Sequence, residues 1–141
     1  MSSWAPLRRE DPRLITGRGR YVADLEAPGA GEVAILRSPF PHARIGAVDT
    51  TGARALDGVF AVLTGADIAS LTDPLLAVVP GTPEYRAVAV HEARFEGEPV
   101  AVVVAEDRYV AEDALDLVEV EWEPLGSVAD PDAAVLPGAP P

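Results

Sequence analysis

The chain has 141 residues, 48% of them hydrophobic, with a formal net charge of −12 and no cysteine. That is the length of one domain, and folding at this size removes roughly two thirds of the unfolded surface from water. The missing cysteines exclude disulfides, Cys-ligated zinc and an iron–sulfur cluster of the chain's own, while the negative charge opposes nucleic-acid phosphates.

Residues 1–20 are polar and read as an extended arm with no sustained period. They hold five arginines against two acids, whereas residues 21–141 hold six arginines against 21 acids, and the chain has no lysine. A basic head on an acidic body suits docking onto an acidic surface, and a solvated tail has the same composition. The start MSSWAPLRREDPRL lacks the apolar stretch of a secretory signal. No apolar run approaches the ~20 residues that cross a bilayer. A cytoplasmic chain without a membrane partner is the expectation.

Glu32–Arg37 reads as an apolar strand with charged ends. Pro39 and Pro41 break it, because proline cannot donate to a ladder. Ala43–Val48 resumes as a strand, and Asp49-Thr50-Thr51 offers side-chain oxygens to cap a helix through Leu56. Asp57-Gly58 marks a turn before the short strand Val59–Leu63, and Thr64–Asp67 opens another turn or helix. Residues 70–86 contain Pro74, Pro80 and Pro83 and read as loop, with room for a strand at Leu75–Val79; Arg86–Val90 is strand-like. Glu96–Pro99 is a turn into Val100–Ala105 (VAVVVA), whose unbroken apolar run calls for burial on both faces. Asp107–Leu117 has helical spacing with acids on one face, and Val118–Trp122 alternates like a half-buried strand. Residues 126–141 form a Pro/Ala-rich tail or linker. The predicted boundaries are therefore 1–20, 21–125 and 126–141. Without regular βα alternation, the fold class is α+β, a mixed or antiparallel sheet of short strands with two or three helices.

Three groups of residues carry chemistry-bearing side chains. Ser38, His42 and Asp49 have the residue types of a hydrolase triad, but no G-x-S-x-G elbow accompanies them. His42 and His91 belong to no metal-spacing motif. Thr16–Tyr21 (TGRGRY) has the glycines and arginines of an oxyanion loop without the lysine of a Walker motif. The acids Glu96, Glu98, Glu106, Asp107, Glu112, Asp113 and Asp116 read as a solvated face rather than a magnesium or acid/base pair. Nothing here assembles a convincing active site.

The strings REDPRLITGRGRYVADLEAPG, LRSPFPHARIGAVDTTGARALDGVFAVLTGADI and FEGEPVAVVVAEDRYVAEDALDLVEVEWEPL, from about Arg9 to Pro131, resemble the N-terminal region of a molybdopterin-binding large subunit. The family is that of xanthine dehydrogenase, aldehyde oxidase and carbon monoxide dehydrogenase. The resemblance implies an α/β hammerhead domain that supports a molybdopterin-binding domain and is not catalytic alone. His42 and Arg44 become framework positions. The chain itself is expected to bind no cofactor. Molybdenum and molybdopterin belong to the partner domain or subunit, and iron–sulfur clusters and FAD to further parts of the complex. Arg13, Arg18 and Arg20 of the arm, with Gly97, Glu98 and Pro99 of the turn, are the candidate partner contacts; catalytic and metal residues are none. A stand-alone, non-catalytic binding or scaffold module is the alternative.

Overall fold

The apolar run around Val103 forms the middle of the fold. The computed structural model describes residues 8–25, 27–75 and 84–140. Strand β1 (Glu32–Arg37) and strand β3 (Val59–Thr64) both pair antiparallel with the strand between them, β5 (Pro99–Ala105). Val103 stands opposite Ala34 on one side and Val62 on the other. Strand alternation sends Ala101, Val103 and Ala105 to one face, where all three are fully buried. Helix α4 (Arg108–Leu115) covers that face with Ala111 and Ala114. Its first turn is held by the Asp107 carboxylate, which accepts from the Val110 N–H at 2.9 Å. Complete burial of Val62 and Val103 contributes about 1.5–3 kcal/mol each.

A second antiparallel sheet has β2 (Ala43–Asp49) at its centre, flanked by β4 (Glu92–Ala93) and β6 (Glu119–Pro124). Ile45 faces Trp122 across the β2–β6 pair, and the register shifts between Ile45 and Val48. The bulged Ala47 N–H donates to the Glu121 carboxylate at 3.4 Å. Phe40 meets the Trp122 ring edge-on, 5.7 Å between centroids. Of the mixed and antiparallel alternatives, both sheets take the antiparallel one, and the class is α+β as expected.

Two short helices follow the expected polar starts. Before α2 (Thr51–Ala55), Asp49 accepts from the Thr51 N–H at 2.8 Å. Helix α3 (Gly65–Leu71) begins in a reciprocal box: the Asp67 carboxylate accepts the Thr64 N–H, and Thr64 Oγ1 accepts the Asp67 N–H. Between α2 and β3, Gly58 takes φ +88°, which the Asp-Gly turn needs.

The sequence expectation differs from the structure in the arm, at Arg86–Val90 and in the tail. In the arm, Asp11–Ile15 forms a helix, α1, instead of extended chain. Pro12 pre-sets its first turn, and Gly17 (φ +70°) ends it, with Gly17 N–H donating to the Leu14 carbonyl and Arg18 N–H to the Arg13 carbonyl. Arg86–Val90 is bent, not a strand, because both edges of β5 are already occupied over 101–105; the segment's bond to β5 is Ala89 N–H to the Pro99 carbonyl at 2.8 Å. Of the strand at Leu75–Val79 only Leu75 is described, bridged to Tyr85; the rest lies outside the described residues. In the tail, Pro131–Ala134 makes a helical turn, α5, started by Asp130 accepting from Asp132 N–H. The chain divides into two compact units, Met1–Ala30 and Gly31–Pro141; both sheets belong to the second. Among the described residues no helix is long and apolar enough to cross a membrane.

Gly65 is buried against the bent 89–90 segment. A Cβ there would lie 1.8 Å from the Ala89 carbonyl oxygen and 2.9 Å from the Val90 Cα, and neither is a flexible side-chain end. Gly65→Ala must therefore push two backbones apart. It is expected to lower the stability of the chain by about 3 kcal/mol or more, measured as a drop in urea midpoint at unchanged slope.

Candidate functional site

His42 sits where Pro41 hands the chain to β2, and it is 8% exposed. Its Nδ1 lies 2.7 Å from the carbonyl oxygen of Gly126, and its Nε2 lies 2.7 Å from Oε1 of Glu92 on β4. Both oxygens accept hydrogen bonds, so both ring nitrogens donate, and only the imidazolium can satisfy the pair. The Gly126 carbonyl, followed by the Glu92 hydrogen bond, raises the His42 pKa above its ordinary 6.5; burial and the nearby Arg94 oppose them. The hydrogen bond from His42 in turn lowers the Glu92 pKa, helped by the charges of Arg94 and Arg44. The main chain adds a third tie, with Leu125 N–H donating to the His42 carbonyl at 2.9 Å. His42 thus joins β2, β4 and the chain just after β6. Beside it, Arg44 faces Glu123 across the β2–β6 pair at 3.3 Å, a solvent-exposed contact of little weight.

The three triad-type residues do not come together. Ser38 is buried, its hydroxyl donating to the Phe40 carbonyl and accepting from the Phe40 N–H. His42 is occupied by Gly126 and Glu92, and Asp49 by Thr51. Among the described residues no group of three His, Asp or Glu side chains is placed to hold a metal ion. Of the glycines of TGRGRY, Gly17 closes α1. A cleft of about 370 Å³ lies between α3 and the 84–94 segment, lined in part by Ala69, Arg86, His91 and Glu92. Within it Arg86 pairs with Glu84, and Arg94 donates to the Glu84 carbonyl.

The candidate contacts fall into two places. Arg13, Arg18 and Arg20 are exposed on the first unit. Gly97 (φ +87°) and Pro99 are half-buried in the turn before β5. The turn is clasped to the end of β1: Gly97 N–H donates to the Ser38 carbonyl, Ser38 N–H to the Glu98 carbonyl, and Arg37 to the Gly97 carbonyl at 2.8 Å. Glu98 corrects the sequence reading. It is 2% exposed and folds inward, its Oε2 accepting from the Arg94 N–H. It organises the loop, and its side chain leaves almost no surface exposed. Proline after it and glycine before it were the signals of a tight turn, but nothing in the sequence distinguished an inward acid from its solvated neighbours.

Two three-stranded antiparallel sheets with short helices define a small α+β domain. The family described as aldehyde oxidase and xanthine dehydrogenase, a/b hammerhead domain, matches residues 16–126, and the chain belongs to that family. It is 46% identical to the carbon monoxide dehydrogenase large chain of Afipia carboxidovorans over 134 residues, covering 94% of this chain and 16% of that one. It is 33% identical to the xanthine dehydrogenase molybdenum-binding subunit of Escherichia coli O157:H7, covering 90% of this chain and 18% of that one. The structure of quinoline 2-oxidoreductase from Pseudomonas putida 86 superimposes with a TM-score of 0.81 at 49% identity, over 92% of this chain and 17% of the other. The chain is thus a hammerhead domain homologous to a small part of molybdenum hydroxylase large subunits.

The His42–Glu92 pair gives a pH signature with a definite sign. A raised histidine pKa contributes stability that is complete below 6.5 and lost as pH rises through the folded value. A lowered Glu92 pKa contributes stability that is complete above 4.5 and lost as pH falls through its folded value. His42→Gln cannot titrate. Its stability deficit should be largest between those two values and shrink on raising the pH. Urea titrations between roughly pH 5 and 9 measure this, and a deficit constant with pH would remove the imidazolium assignment.

Proposed function

We propose that this domain supports a molybdopterin-binding domain or subunit and has no activity without it. The complete assembly would be a molybdenum hydroxylase, transferring oxygen from water to a carbon centre of a small substrate such as an aldehyde, a purine or another N-heterocycle, in the cytoplasm. Molybdopterin would be held by the molybdenum-binding part, and iron–sulfur clusters and FAD by further domains or subunits. One observation carries the reading: the likeness runs over nearly the whole chain, yet the chain spans only 16–18% of the length of these relatives. Among the described residues no cluster of His, Asp or Glu is placed to ligate the metal. No step of the reaction is assigned to them.

Purification from the source under native conditions, with particle mass and molybdenum content measured together, tests the reading. The expected result is a large particle containing this 14.8 kDa chain and molybdenum. A lone, molybdenum-free chain would overturn it and favour the stand-alone scaffold.

The exposed Arg13, Arg18 and Arg20, together with Gly97 and Pro99, are assigned to the contact with that partner. Replacing all three arginines by glutamine is expected to weaken assembly about tenfold at low salt and to reduce its salt dependence. Unchanged assembly would take the arm out of the interface.

A further inference from the structure

The β1–β5–β3 sheet has two faces, and the described chain covers one. Ala34, Val62, Val103 and Ala105 point to α4 and belong to the core clusters. The other face carries Val33, Ile35, Val102, Val104 and Leu63, brought side by side by the register Val33↔Val104, Ile35↔Val102 and Leu63↔Val102. Phe60 joins them at the bulge between Val59 and Ala61; a Cβ built on Gly31 would touch both Phe60 and Val104. Val33 is 56% exposed, Ile35 37% and Phe60 64%, while Val102 and Val104 are half-buried. A central strand that is apolar on both faces is the pattern of a sheet sandwiched between two layers. A contiguous exposed apolar patch of this kind marks an interaction surface. Among the described residues of Gly31–Pro141, this second face stays largely exposed. Its relatives have further polypeptide available: more than four fifths of each of their chains lies beyond the portion matched here.

We propose that the Val33–Ile35–Phe60–Val102–Val104 face is the surface on which the molybdenum-binding portion of a large subunit packs, through an apolar surface of its own. This rests on the reading that the chain works with such a portion, and it adds which side of the domain does so. Arg54 strengthens the assignment to the face rather than to the β3 edge of the sheet, because its guanidinium already donates to the Val62 carbonyl at 2.6 Å.

The test introduces Val33→Glu and Phe60→Glu, singly and together, into the native assembly, with Tyr109→Ser on the exposed side of α4 as control. All three positions are exposed, and circular dichroism verifies folding. The expected result is at least a tenfold loss of chain recovered with the molybdenum-containing particle for the double variant, with the control unchanged. Equal recovery of the double variant and wild type would overturn the assignment, as would a control that falls as far. A wild-type chain that pairs through this face with a second copy while inside the particle, detected by residue-specific cross-linking at Val33→Cys, would also overturn it. A wild-type chain found in no molybdenum particle would instead sink the underlying reading, and this inference with it.

Discussion

The rest of the fold depends on how closely α4 can approach the β1–β5–β3 sheet. Alanine meets alanine there: Ala34 and Ala105 of the strands against Ala111, and Ala101 in one cluster with Ala114. Such small side chains let the helix lie close to the strands, and close-packed interiors tolerate few extra methylenes. That closeness sets the position from which the chain turns at Leu115–Val118 into β6. Strand β6 then pairs with β2 and so brings the second sheet into register with the first. A bulkier residue at Ala111 or Ala114 would displace the helix and, through β6, the surroundings of His42.

Polar residues in this interior tie turns together. Ser38 bridges its own loop, Glu98 holds the N–H of Arg94, and His42 spans from β4 to the chain after β6. Each satisfies backbone groups that proline or a tight turn has left without a ladder partner, and burial without such partners would be costly. The same residue types that suggest catalysis in the sequence are explained by this. A serine, a histidine and acids within a short span serve the geometry of loops, and their separate partners keep them from acting together.

Much of this was legible in advance. Apolar runs, alternation and proline breaks located β1, β2, β3, β5 and β6, side-chain oxygens marked the start of α2, and helical spacing marked α4, because these signals are local. What escaped depended on distant partners. Arg86–Val90 has strand composition, but no free edge of β5 was left for it, and a count of apolar residues cannot reveal that. Strand β4 is two residues long and exists through its pairing with β2. Helix α1 was written in the sequence, with Pro12 at its start and Gly17 five residues on, but its brevity hid the period. Of the site, the framework role of His42 was readable from the family resemblance, whereas its partners Glu92 and Gly126 lie 50 and 84 residues away. Glu98 was misjudged because acidic composition describes a surface on average and says nothing of one side chain.

The clasp around Gly126 also has a directional consequence. Leu125 and Gly126 are each bonded to His42, one through the main chain and one through the ring. Two bonds on adjacent residues fix a heading as well as a position. Residues 127–140 leave the end of β6 on a bearing set by one aromatic ring. The tail makes the α5 turn and comes back, so that a Cβ built on Gly126 would touch Pro140. One imidazole, paired with Glu92 on β4, thus fixes both where this tail begins and the place to which it returns.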